Sequence, residues 1–302
     1  MARSGGSHRF GNDGTDLKLG VVEAYLRQFT TALRPYFSEM IYIDLFSGSG
    51  AREVLHEGAP ANLLDEAREE WIEERRGSAR IALDNSPPFT SLIFIEQKKR
   101  FCAALRALAD EYPGCKTTVL RGDVNEKVLE AINRPSWAGA RAVMFIDPYG
   151  MQLRWDVLEA IQRTEAIDIW YLVSLQGLYR QATTLRGDIT PKKRAALNRM
   201  TGSENWEAEW YTPKSAGSLF DFMGETPQMG EKRTASVDDI EGYFGGRLRS
   251  VFPMVAGPLR LKTKNGAPGF ALFFACSNPN PAAFGLAARI ANHILKAGNS
   301  SQ

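Results

Sequence analysis

Five short apolar runs recur along the first 180 residues, and between them the apolar positions change period. The runs are 40–46 (MIYIDLF), 91–96 (SLIFIE), 116–121 (KTTVLR), 142–148 (AVMFIDP) and 166–173 (AIDIWYLV). They are rich in β-branched and aromatic residues. Near-continuous apolarity of this kind suits strands buried on both faces of a parallel sheet. Helical spacing lies between the runs. Residues 18–33 place Leu19, Val22, Tyr25, Leu26 and Phe29 on one face, and 98–112, 125–133 and 155–163 read the same way. Strand and helix in alternation predict a doubly wound α/β sheet. The first crossover is longer. Its stretch 59–76 is highly charged, with eight acidic residues between Glu53 and Glu74, and predicts a solvated helix.

After the fifth run the pattern weakens, and 179–249 is polar, aromatic and irregular. Two further strand-like runs, 258–263 and 269–276, flank Lys264-Asn265-Gly266, whose Asn-Gly pair marks a tight hairpin. A closing helix spans 281–296. The expected organisation is a flexible tail (1–17), a ligand-binding core (18–178), a variable recognition segment (179–250) that is an insert or lid, and a hairpin and helix completing the core (251–302).

Composition narrows the function. Apolar residues make up 44% and charged residues 24%, ordinary for a globular chain. The 37 basic and 35 acidic residues leave a net charge of +2, so any nucleic-acid contact must come from a local patch. Cys102, Cys115 and Cys276 are scattered and odd in number, and the three histidines share no ligand spacing. A disulfide framework and a metal centre are therefore not expected. No run approaches the roughly 18 apolar residues of a membrane span. The polar, Gly-rich start has no apolar signal region, and the chain is expected to be cytoplasmic without membrane contact.

The candidate chemistry gathers at strand ends. The first run ends in Asp44-Leu45-Phe46-Ser47-Gly48-Ser49-Gly50. Its glycines let the backbone approach a ligand at the carboxyl end of the strand. Asp44 suits an ammonium group better than a pyrophosphate. Glu96 ends the second run, where an acid can accept both hydrogen bonds of a ribose diol. Gly122-Asp123-Val124 ends the third, with an acid for an exocyclic amine and an apolar side chain for a ring. Asp147-Pro148-Tyr149-Gly150 ends the fourth. Four consecutive parallel strands thus end in acids at the edge where open α/β sheets bind ligands.

On these residues the chain resembles the class I S-adenosylmethionine-dependent methyltransferases. More narrowly, it resembles the three-Cys-motif partner proteins, through 42–50 (YIDLFSGSG), 77–79 (GSA), 94–96 (FIE) and 145–150 (FIDPYG). The resemblance covers about residues 18–178 well and the final hairpin and helix loosely. It implies a Rossmann-like seven-stranded sheet, mostly parallel, with an antiparallel terminal hairpin and an inserted helical or irregular segment. It also implies an S-adenosylmethionine pocket, with Asp44, Phe46, Gly48 and Gly50 near the methionine part, Glu96 on the ribose, and Asp123 and Val124 at the adenine. Lys18, from the preceding helix, would reach the methionine carboxylate. Asp147, Pro148 and Tyr149 resemble the D-P-P-Y motif that holds a target amine and stacks on a flipped base. One proline is missing, so the aromatic falls one residue early.

Residues 179–199 carry Arg180, Arg186, Lys192, Lys193, Arg194 and Arg199 against a single acid, Asp188, a local charge of +5. The aromatics Trp206, Trp210, Tyr211, Phe220 and Phe222 follow. Basic residues beside aromatics suit phosphate contact and base stacking. The same residues also read as a solvated helical face with Trp206 and Trp210 packed into a small core. Three functions stay open: methyl transfer to an amino group of a nucleic-acid base, transfer to a small molecule or protein, and a non-catalytic cofactor-binding module acting through a three-Cys-motif partner. A nicotinamide enzyme is disfavoured, because G-S-G lacks the third fingerprint glycine.

Overall fold

A computed structural model describes residues 14–56, 71–212, 231–262, 266 and 268–300, and of 51–56 and 71–75 the backbone only. The core opens with helix α1 (Gly14–Leu33) and strand β1 (Glu39–Leu45). The helix starts four residues before its apolar pattern does, inside the expected tail. The rest of that tail lies outside the described residues.

Next come α2 (Ser78–Leu83), β4 (Ser91–Glu96), α3 (Lys99–Asp110), β5 (Lys116–Arg121) and α4 (Val124–Ile132). They are followed by β6 (Ala140–Ile146), α5 (Trp155–Gln162) and β7 (Ile167–Ser174). β10 (Met254–Lys262), β11 (Pro268–Cys276) and α10 (Pro281–Ser300) close the chain.

These strands form one seven-stranded sheet in the order β10-β11-β7-β6-β1-β4-β5. β1, β4, β5, β6 and β7 are mutually parallel, and β11 runs antiparallel to both β7 and β10. This is the seven-stranded, mostly parallel sheet that the sequence resemblance implied, with the antiparallel terminal hairpin in place. Lys264 and Asn265 lie outside the described residues. Gly266 has φ +77°, a conformation that favours glycine.

Both sheet faces are covered, which explains the near-continuous apolar runs. On β1, Ile41, Ile43 and Leu45 join one core with α4 and α5, while Met40 and Tyr42 join the other with α1, α2, α3 and α10.

One region differs from expectation. The charged stretch 59–76 does not end as a helix. β3 (Trp71–Arg76) pairs antiparallel with β2 (Ala51–His56), and Gly77 N donates to Gly50 O at 3.0 Å at the base of this hairpin. Charge density predicts solvation but not period, and the partner strand directly follows the Gly-rich turn. Residues 57–70 lie outside the described set.

The segment after β7, expected as a helical or irregular insert, is largely helical among the described residues. It contains α6 (Leu175–Gln181), α7 (Pro191–Thr201), α8 (Trp206–Trp210), the short pair β8 (Tyr211–Thr212) and β9 (Lys232–Arg233), and α9 (Val237–Arg249). Thr190 caps α7 with Pro191 in its first turn, and Gly202 ends it at φ +63°. A capping box, Ser236 with Asp239, starts α9.

The segment packs on the sheet as part of one core. Phe244 of α9 lies 5.8 Å, ring to ring, from both Phe273 and Tyr171.

Candidate active site

The site begins with the turn after β1, at the carboxyl edge of the sheet. Phe46 takes φ +71°, rare for a side-chain-bearing residue, and Gly48 and Gly50 follow at +62° and +82°. Phe46 N and Ser47 N both donate to Ile95 O, at 3.1 and 3.2 Å, which ties the turn to the end of β4. Gly50 is required twice over. A Cβ there would sit 2.6 Å from Leu108 Cδ2 of α3, and its φ is left-handed.

Two cavities open beside this turn. One, of about 470 Å³, is lined by Lys18, Gly48, Gly50, Ser78, Asp147 and Tyr149, among others. The other, of about 720 Å³, is lined by Glu96, Lys98, Asp123, Val124, Tyr149 and Arg199, among others. Phe46 and Tyr149 line both. The structure therefore gathers most of the sequence-selected core residues around two adjoining cavities, with the first-turn residues on one side and Glu96, Asp123 and Val124 on the other, while Asp44 is buried behind the turn and lines neither.

The acids differ in environment. Asp44 is 1% exposed. The Tyr42 hydroxyl donates to its Oδ2 at 3.2 Å, while Oδ1 is buried without a hydrogen-bond partner. Burial raises its pKa to about 7, against the lowering pull of the Ser78 and Tyr42 hydroxyls. Nearby Asp147 raises it further and Lys18 lowers it.

Glu96 is buried and bridges two turns. Its Oε2 accepts from Gly48 N at 3.0 Å and its Oε1 from Lys98 N at 2.8 Å. Each oxygen keeps a second lone pair for a hydroxyl. Exposed Asp123 caps α4 through Asn125 N at 2.9 Å.

Asp147 forms an ion pair with Lys18, which comes from α1, 129 residues away. Pro148 is buried, and Tyr149 beside it is 67% exposed. The Lys98 ammonium lies 5.3 Å from the Tyr149 ring centre.

Asn125 escaped the sequence reading. It is buried, accepts from Arg154 N at 2.8 Å and donates to Gln152 O at 3.2 Å, so it locks the segment after Asp147 to α4. An Asn two residues after a strand-end acid carries no period that would mark it.

The recognition segment divides. Arg186 and Arg194 both bind Glu207, with each Nε about 3.3 and 3.2 Å from its Oε1, and Arg186 also pairs with Glu231. These two arginines are partly neutralised. Arg180 and Lys192 are exposed and Lys193 is half-buried, and Arg199 donates to Met151 O at 3.3 Å beside the larger cavity. Three aromatics of this segment do not face solvent. Trp206, Trp210 and Tyr211 are buried, and Trp206 Nε1 donates to Asn198 Oδ1 at 2.7 Å. Helical spacing put Trp206 and Trp210 on one face, and that face packs inward, with rings 5.4 Å apart. Stacking on a base is therefore ruled out for these three. Phe220 and Phe222 lie outside the described residues. Among the described residues, no group of acids, histidines and cysteines has the arrangement of a metal site, and no helix is long and apolar enough to cross a membrane.

No protein-family model and no curated protein matches the chain. Among solved structures, protein LPL1258 from Legionella pneumophila, described under DUF519, is similar over 96% of this chain and 94% of its own, with a TM-score of 0.50 and 13% identity. The N-terminal domain of EvdMO1, crystallised in the presence of SAH and D-fucose, is similar over 88% of this chain and 83% of its own, at a TM-score of 0.39 and 11% identity. The Legionella likeness is one of fold over nearly the full length. The resemblance to three-Cys-motif partner proteins rests on the motif residues alone.

Proposed function

We propose that the protein is an S-adenosylmethionine-dependent methyltransferase acting on an amino group, with a nucleic-acid base as the acceptor class. The observation that carries this reading is the pair of cavities meeting at Phe46 and Tyr149, with Asp44, Glu96, Asp123 and Asp147 at the ends of four parallel strands around them.

The residues fit the cofactor. The orphaned Oδ1 of Asp44 lacks a donor that an ammonium group would supply. Gly48 and Gly50 let the backbone come close to the methionine part, Glu96 has free lone pairs for a ribose diol, and Val124 offers an apolar wall for the base. When bound, the cofactor supplies an activated methyl on a sulfonium, so little acid–base work falls to the protein. The chain's own task is alignment. Asp147 would accept a hydrogen bond from the acceptor amine and aim its lone pair. Exposed Tyr149, at the junction of the cavities, offers a ring face to a planar acceptor. Lys192, Lys193, Arg180 and Arg199 are the basic residues best placed for phosphate.

A second reading draws on the Lys18–Asp147 ion pair, which occupies the side chain an amine would need. In it the chain binds the cofactor without transferring methyl and acts with a three-Cys-motif partner.

Calorimetric titration with S-adenosylmethionine and S-adenosylhomocysteine, followed by methyl uptake from labelled cofactor into DNA and RNA, tests both. Binding with uptake supports the enzyme, and binding without uptake into any acceptor supports the partner module. Absence of binding overturns both.

A further inference from the structure

We infer that Lys18 exchanges partners during the binding cycle, from Asp147 in the free protein to the carboxylate of the cofactor, and that this exchange opens Asp147 to the acceptor. The inference rests on the cofactor reading above and adds an order to it.

The geometry is asymmetric. The Lys18 side chain is 9% exposed and that of Asp147 is 29% exposed, so the lysine is the deep member of the pair and the acid faces the opening. A buried ammonium needs an anionic partner at all times, because losing its only one leaves an uncompensated charge. Its surroundings offer few alternatives. The Phe145 ring lies 5.9 Å from the ammonium, and the neighbouring carboxyl, Asp44, already carries the burden of full burial.

A carboxylate entering the cavity beside Gly48 and Gly50 supplies the missing alternative. Lys18 then keeps its compensation without Asp147, and the acid is released at the mouth of the cavity, where an amine donor can reach it. Without the cofactor an incoming amine competes with Lys18 for the same carboxylate. Binding is therefore ordered, cofactor first.

The test turns on a sign. If Asp147 only lined the cofactor pocket, removing its charge would weaken binding or leave it unchanged. If it competes for Lys18, removing it strengthens binding. S-adenosylhomocysteine is the probe, since it lacks the sulfonium charge that would itself attract Asp147. Asp147→Asn should bind it about 3–10-fold more tightly than the unaltered protein, the range set by releasing one competing ion pair. Lys18→Met should bind it about tenfold or more weakly, and in that background Asp147→Asn should have no further effect. 5′-Methylthioadenosine, which lacks the carboxylate, should bind all of these proteins alike. Lys18→Arg, which keeps the charge, covers the case in which Lys18→Met fails to fold. It should retain most of the affinity for S-adenosylhomocysteine and still respond to Asp147→Asn. Unchanged or weaker binding by Asp147→Asn, with the unaltered protein binding normally, overturns the exchange and leaves the cofactor reading standing. Failure of the unaltered protein to bind the probe overturns both.

Discussion

Two buried carboxyl groups sit at opposite edges of one sheet, and they have different work to do. Asp168, near the start of β7, is paired in register with Cys276 on β11. The Tyr25 hydroxyl donates to its Oδ2 at 2.7 Å. Burial still pushes its pKa to about 6, and the cavity beside it is apolar and only about 80 Å³. Asp44, at the carboxyl edge, is pushed to about 7 by the same cause, yet one of its oxygens has no partner, and its charged neighbours Lys18 and Asp147 line a cavity several times larger. A perturbed carboxyl is therefore not enough to mark a site. What separates the two is satisfaction. Asp168 is closed by its own chain, whereas Asp44 has one oxygen short of a donor, behind neighbours that line the larger cavity.

That contrast can be broken at several points. The largest effect is expected at Gly50, where alanine meets Leu108 and a left-handed backbone together. It should cost about 2–4 kcal/mol of stability in denaturant unfolding and abolish cofactor binding with it. Tyr25→Phe should cost about 1–3 kcal/mol by leaving Asp168 short of a donor, while S-adenosylhomocysteine binding stays unchanged. A matching loss of binding would show that the two edges are not independent. Asp44→Asn should do the reverse, with little loss of stability near neutral pH but binding weaker by about 1–3 kcal/mol.

The pH profile sharpens the comparison further. Both acids have folded pKa values raised above the ordinary carboxylate value, so between about pH 4 and 7 the folded chain holds more protons than the unfolded chain, and stability falls as pH rises through that window. Asp44→Asn should flatten the fall up to about pH 7, and Asp168→Asn up to about pH 6. Unfolding free energies measured across the range read this directly. The smallest effect belongs to the recognition segment. Replacing Lys192 and Lys193 with alanine should lower the salt slope of nucleic-acid binding by about two. Replacing Arg186 and Arg194, already held by Glu207, should change it less.

Much of this molecule was legible in its residues. The strand Ser91–Glu96 coincides with its apolar run, because a strand buried among its neighbours has little freedom in where its pattern begins. The edge strand Lys116–Arg121 also coincides with its run, although none of its residues is buried. The recurrence of acids after successive runs was legible as an edge, since parallel strands all end on one side. The hairpin of β2 and β3 was not legible. Its residues read as a charged helix, and only a partner strand makes them a ladder. Nor were the pairings of Arg186 and Arg194 with Glu207, which turn two of the six basic residues of the apparent patch into an ion-pair network. Trp206 and Trp210 stood open between a buried face and a stacking surface, and only packing against Tyr243 and the sheet core decided it.

By itself, then, the sequence determined the α/β alternation, the terminal hairpin and the placing of Asp44, Glu96, Asp123 and Asp147 on one edge. Hydrophobic period and chain direction are local properties that suffice for these. The tertiary structure alone decided which acid would be left short of a donor, that Lys18 would meet Asp147, and that Asn125 would brace the segment after Asp147 against α4. Those outcomes depend on which groups burial brings within hydrogen-bond reach, across 27 to 29 residues for Asn125 and 129 for Lys18 and Asp147, and no periodicity along the chain encodes such distances.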